Sequence, residues 1–306
     1  MTGDLSRRDL LAGLGVLALP GWLGRSVIGD AWAASSDGPR VAALGWATAQ
    51  SLLAIGVAPL VMPEIERYRR LVIEPPVPAT VREAGLRSEP SLELLAQSKP
   101  DLIVIDPSLA GARKRLERIA PVEVFNVRAT ETQSAYGQSR LALRTLAQRL
   151  GRTRACEAYL DQVEARVGAA EFKLARYAGG PLYVVGELVR NSMLIFGGRC
   201  IYQDLLDRFG LVNAWTGPTS AWGHATVPLE DLASVPDARL LLLSDQAMDL
   251  KAMIKARPLA RRLPFVSADR ITVLDNMLFY GGVPTAERFT RLLAERLPLE
   301  GEREHG

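Results

Sequence analysis

Short branched and apolar runs alternate along this chain with amphipathic helical stretches, and that alternation confines the fold to a largely parallel α/β architecture. Asp101-Leu102-Ile103-Val104-Ile105-Asp106 and Arg239-Leu240-Leu241-Leu242-Leu243 are the clearest runs. Unbroken apolar character of this kind suits strands covered on both faces. Further strands are expected at 40–44, 57–62, 122–127, 181–185, 193–196 and 271–274. Helices are expected at 47–55, 91–98, 113–119, 201–209, 229–233, 249–257 and 285–297, with Pro100 and Gly210 as stops and Pro284 as a start.

These elements form two blocks, as expected for a chain beyond the size at which one core keeps growing. Between them lie two long helical stretches, 130–150 and 153–177, separated at Gly151. Leu160, Val163, Val167, Ala170 and Leu174 mark one apolar face of the second. A helix of that length spans roughly 35 Å, enough to join two lobes as a stiff strut. The expected fold is therefore α/β, with two Rossmann-like lobes joined by a single long helix. Its divisions are 39–150 for the first lobe, 151–178 for the linker helix and 179–300 for the second lobe.

Residues 1–34 are expected to be a targeting segment and not part of the fold. Arg7 and Arg8 stand directly before an apolar run from Leu10 to Leu23, the layout of a twin-arginine export signal, and Ala31-Trp32-Ala33 offers small residues for cleavage. Pro20 and three glycines interrupt the run, so it is a poor membrane span. The segment carries three arginines and three aspartates, so the net charge of +3 is unchanged without it. That charge is too slight for a nucleic-acid partner. The densest basic cluster, Arg67-Tyr68-Arg69-Arg70, reads as a solvated helix end. Cys156 and Cys200 are the two cysteines, too few for a disulfide framework and without metal-ligand spacing; a bridge between them is possible, though the fold is not expected to lean on it.

Phosphate-loop, nucleophile-elbow, zinc-protease and dinucleotide fingerprints do not occur. His224 is one of two histidines, the other lying at 305 in the tail, so it reads as a structural or rim residue and no catalytic residue is expected. The seven tyrosines are dispersed, which argues against direct ligation of a bare ferric ion, so no metal site and no directly bound cofactor are expected. Any iron should arrive already wrapped in a chelator, whose outer surface suits a cleft with aromatic walls and a few donors. Arg87 in Gly85-Leu86-Arg87-Ser88-Glu89-Pro90 could supply the donors, since its planar fork reaches two oxygens at once. Trp46, Trp222, Phe279 and Tyr280 fall at element ends and could supply the walls. The alternatives are that Arg87 pairs with a nearby carboxylate such as Glu89 and that the aromatics are core.

At these residues the chain resembles the ferric-hydroxamate-binding proteins of FhuD type, class III periplasmic binding proteins. The resemblance covers the whole chain beyond the targeting segment. It is carried by Val41-Ala42-Ala43-Leu44-Gly45-Trp46, Glu74-Pro75-Pro76, the 85–95 segment, Arg118-Ile119-Ala120-Pro121, Phe196-Gly197, Asn213-Ala214-Trp215, Trp222-Gly223, Leu263-Pro264-Phe265-Val266 and Phe279-Tyr280-Gly281. It implies a shallow cleft between two nearly rigid lobes, in a periplasmic monomer that captures an iron–siderophore complex. Delivery is to an inner-membrane ABC permease with its cytoplasmic ATPase. Arg87 would bond the hydroxamate oxygens, with Trp222, Phe279, Tyr280 and Trp46 around the ligand. Where the family carries a tryptophan, a tyrosine and a second tryptophan, this chain has Leu71, Leu109 (with Asp106 and Ser108 nearby) and Leu278. Surface carboxylates dock such proteins to their permease, and Glu117 and Glu230 match that role. A haem or corrinoid cargo on the same fold is the alternative, and an exported enzyme a more remote one.

Overall fold

The computed structural model describes residues 38–189, 192–244, 252, 256, 261 and 263–299. The segment 1–34 lies outside them, as does the helix expected over 249–257 apart from Ala252 and Ala256.

The first lobe is built on β1 (Val41–Ala43), β2 (Val61–Met62), β3 (Arg82–Glu83), β4 (Leu102–Ile105) and β5 (Val122–Val124), all parallel in the order β3-β2-β1-β4-β5. Helices α1 (Trp46–Ala54), α2 (Ile65–Leu71), α3 (Leu92–Ser98) and α4 (Arg113–Leu116) connect them. Every residue of β1 and β4 is buried, as the unbroken apolar run at 102–105 requires. Ser91 caps α3 by accepting from the Leu94 backbone N–H at 3.2 Å, which fixes where that helix begins. β3 and its two exposed polar residues were not among the expected strands. Chain order reverses between β1 and β4, so a crevice opens at the carboxyl ends of the strands there, the usual binding position in an open α/β sheet.

The second sheet runs β10-β9-β6-β7-β8, from β6 (Leu182–Val189), β7 (Ser192–Phe196), β8 (His224–Pro228), β9 (Arg239–Leu243) and β10 (Ile271–Leu274). β6, β9 and β10 are parallel, while β7 and β8 add an antiparallel edge. Leu240, Leu242, Phe265 and Leu232 belong to its core, and Ile103, Ile105, Leu95 and Leu116 to that of the first sheet.

Two long helices connect the sheets in sequence, α5 (Ala135–Arg149) and α6 (Thr153–Leu174), with Gly151 at φ +64° between them. The first begins five residues later than its apolar pattern implies. Thr130 closes a turn of its own by accepting from the Gln133 N–H, and Ser134 caps the helix by accepting from the Gly137 N–H. Along α6 the predicted face of Leu160, Val163, Val167, Ala170 and Leu174 is buried, together with Cys156. It packs on α5 and on the last helix, Val283–Arg296. Cys156 and Cys200 are both buried free thiols.

The last helix also reaches the first lobe. Thr285 Oγ1 donates to Gln50 Oε1 at 3.1 Å, and Arg288, 6% exposed in its side chain, is paired with Glu74 at 2.7 Å. Asn276 Nδ2 adds a bond to the Arg70 carbonyl at 2.8 Å. Burial pushes the Glu74 carboxyl up, but the hydrogen bonds and charges of Arg288 and Arg291 outweigh it and hold the group below the usual carboxylate value.

Candidate functional site: a hollow between the lobes

All five strands of the first sheet end on one side, and the residues just beyond their carboxyl ends form the site. After β1 come Trp46 and Ala47, after β2 Glu64, after β3 Arg87, after β4 Asp106, Pro107 and Ser108, and after β5 Phe125 to Arg128. Most of these, with Trp222, Leu278 and Tyr280 from the second lobe, line a hollow of about 150 Å³.

Trp46 opens α1 almost fully buried, and its Nε1 donates to the Pro63 carbonyl at 3.0 Å. The Arg87 guanidinium lies on that ring with Cζ 3.8 Å from the centroid, a stacked cation–π geometry. Its Nε donates to Glu64 Oε2 at 2.9 Å. The carboxylate that orients Arg87 is therefore Glu64, which Arg67 also approaches at 3.6 Å, and not Glu89. The Arg87 side chain remains 37% exposed, leaving its terminal nitrogens within reach of the hollow.

On the far lobe, Trp222 and Tyr280 meet edge to face at 5.1 Å. Tyr280 Oη and Ser220 Oγ both face His224 Nδ1, at 3.1 and 3.2 Å. Burial, reinforced by Glu187 and Cys200, pushes the Tyr280 phenol up to about 12, so it keeps its proton and can donate. Burial lowers His224, and a neutral imidazole accepting at Nδ1 fits both contacts. His224 is thus a wall residue that holds Tyr280. Gly223 follows Trp222 at φ +74°, and a Cβ there would come within 2.5 Å of Cys200, so glycine is needed for the Trp222 turn.

The remaining expected site residues divide. Asp106 lines the hollow, its Oδ1 accepting from the Ser108 backbone N–H at 3.1 Å, and Leu278 lines it too. Phe279 packs 5.7 Å from Phe196 and shares a neighbouring crevice with Trp222 and Tyr280, but it does not line the hollow itself. Leu109 is buried in the first-lobe core with Ile105 and Leu116, turned inward because a leucine has nothing to offer a wet cleft. Leu71 ends α2 and does not line the hollow. Glu117 is a surface carboxylate that accepts from Arg113 Nε at 2.7 Å, and Glu230 is exposed on the 3₁₀ turn after β8.

Arg128, Asn126 and Glu64 were not singled out from sequence. They stand two to four residues past the ends of β2 and β5, in the loops at the carboxyl edge of the sheet, and that position is the signal that points to them. A larger hollow of about 800 Å³ lies on the second lobe around Trp215. It is wide open, its Asn213, Gln203 and Asp207 side chains are bonded to one another, and all its lining residues come from the second lobe. No group of three or more potential metal ligands occurs among the described residues.

The periplasmic binding protein family model matches residues 41–278. The chain is 33% identical over 290 residues to the iron(3+)-hydroxamate-binding protein FhuD of Escherichia coli (strain K12), covering 94% of this chain and 95% of that protein. It is 30% identical over 267 residues to the Fe(3+) dicitrate-binding periplasmic protein FecB of the same organism, covering 81% of each. Among solved structures it is similar to the Fe3+–Desferal-bound siderophore-binding protein FhuD from Vibrio cholerae, with a TM-score of 0.78 at 25% identity over 85% of this chain and 98% of that one.

Proposed function

The chain belongs to the periplasmic binding protein family, and from that premise we propose that its inter-lobe hollow binds a ferric siderophore, a hydroxamate chelate for preference. The protein is a periplasmic binding component of an ABC iron-uptake system and not an enzyme. The observation that carries the ligand reading is the meeting of Arg87, stacked on Trp46, with the Trp222–Tyr280 wall across one hollow. Guanidinium donors suit the oxygens of a chelate, and the rings suit its organic skeleton. The enclosed volume is small beside that of a typical ligand pocket, so one face of the chelate is gripped while the rest projects. Relatives named for iron(3+)-hydroxamate and for Fe3+–Desferal support the same cargo class.

The rest of the reading follows from this role. The protein acts as a monomer, exported by the twin-arginine pathway with residues 1–34 removed. Its lobes divide at 39–150 and 179–300 around the 151–178 linker. Exposed carboxylates, Glu117 on the first lobe and Glu230 on the second, dock it to an inner-membrane permease and its ATPase. A fluorescence titration of the purified protein with ferric hydroxamates, ferric catecholates, haem and cobalamin tests the cargo. Saturable quenching by ferric hydroxamates supports the reading; a response only to haem or cobalamin rejects it.

A further inference from the structure

A second guanidinium faces the same hollow. Arg128, just past the end of β5, lays its Cζ 4.4 Å from the centroid of the Trp222 ring, as Arg87 does on Trp46 at 3.8 Å. The two arginines differ in what holds them. Arg87 is bonded to Glu64, which neutralises it locally. Arg128 makes no ion pair with a described carboxylate, and its one side-chain bond is a long Nε contact of 3.4 Å to Asn126 Oδ1. Its stacked, planar fork is thus oriented by the ring beneath it with its terminal nitrogens uncommitted. A pre-set donor of this kind needs little ordering when an acceptor arrives.

We propose that Arg128 is a second ligand-contacting donor in the hollow, and that it sets preference for chelates presenting an anionic oxygen toward the Trp222 wall. This rests on the reading of the hollow as the cargo site. Asp106 lines the same space and places a limit on the charge accepted. Its carboxylate, held by Ser108, repels a cargo carrying several negative charges. Among ferric hydroxamates, the one that fits best therefore carries a single free carboxylate, and higher negative charge is disfavoured.

The test is a titration of wild type, Arg87→Ala, Arg128→Gln and Arg128→Lys with three ferric chelates: a neutral trihydroxamate, a hydroxamate bearing one free carboxylate, and a tris-catecholate. Thermal melting confirms that each variant is folded. Wild type should favour the singly charged chelate over the other two. Arg128→Gln should weaken the singly charged chelate by about tenfold or more, the worth of a charge-assisted hydrogen bond, and the neutral one by less. It should also flatten the salt dependence of binding, which Arg128→Lys retains. Losses equal for the neutral and charged chelates would overturn the proposal, because they would mean that Arg128 acts only by packing Trp222. So would wild-type affinity in both Arg128 variants while Arg87→Ala is impaired, and that pattern leaves the cargo site standing. If wild type binds none of the three, the site reading falls and Arg128 with it.

Discussion

Arg87 rests 3.8 Å above the Trp46 ring and is held there by Glu64, whose Oε2 accepts from its Nε at 2.9 Å. One edge of the guanidinium is spent on orientation, and the other is free to donate. Arg87→Ala should weaken ferric hydroxamate binding by about 1.5–3 kcal/mol, the worth of hydrogen bonds to charged groups. Arg87→Lys should fall between wild type and alanine, since it keeps the charge but loses the fork and the stacking. Tryptophan-quenching titrations measure both; an unchanged affinity in the alanine variant removes Arg87 from the site.

The pairing of Arg288 with Glu74 ties the last helix to the first lobe. Arg288 is buried and also donates from Nε to the Asn276 carbonyl, whereas Arg291 reaches the same carboxylate from a half-exposed position. Arg288→Ala should cost about 3 kcal/mol in urea unfolding, as breaking a buried charged network does. Arg291→Ala should cost under about 1 kcal/mol. Because Glu74 is held below its ordinary value of 4.5, the unfolded chain takes up that proton first. Its stabilisation is present above that value and is lost as pH falls through the lowered one, so the stability difference between wild type and Arg288→Ala should narrow as pH falls through that interval.

His224 gives the ligand-facing wall its own pH dependence. Burial lowers its folded pKa, so the unfolded state binds the proton more readily and stability is lost as pH falls through the lowered value. Protonation also removes the acceptor at Nδ1 that Tyr280 and Ser220 face. Melting temperature and affinity should both decline on acidification below the ordinary histidine range of about 6.5. In His224→Gln the decline over that interval should shrink. An identical pH profile in the variant would show that His224 does not hold the wall.

The lobes should move little when cargo binds. Thr285 to Gln50, Arg288 to Glu74 and Asn276 to Arg70 link them without any ligand. Spin labels on Lys114 and Asp231, one on each lobe, should change separation by less than about 2 Å on adding a saturating ferric chelate. A larger closure would contradict the pinning role of these bonds.

Central strands were the most legible part of this fold, because residues 102–105 and 240–243 are apolar at every position and could only be covered on both faces. Edge strands were not. Arg82 and Glu83 are polar and exposed, and His224–Pro228 is only partly buried, so neither carries a periodic signal. Within the site, Trp46 and Trp222 could be named from their places at element ends. The carboxylate holding Arg87 could not, since it stands 23 residues away and is brought near by the parallel pairing of β2 with β3. Arg128 belongs to no motif and has no charged neighbour in sequence to mark it; pairing ends at Val124, and the four residues that follow face the hollow.

The most direct test of the central claim is the iron position itself, read by anomalous scattering from crystals of the protein with a ferric trihydroxamate. The iron is predicted to lie beside the inter-lobe hollow, with chelate oxygens within hydrogen-bonding distance of Arg87 and the organic skeleton against Trp222 and Tyr280. An iron peak in the open groove by Trp215, or one whose chelate makes no bond to Arg87, would contradict it.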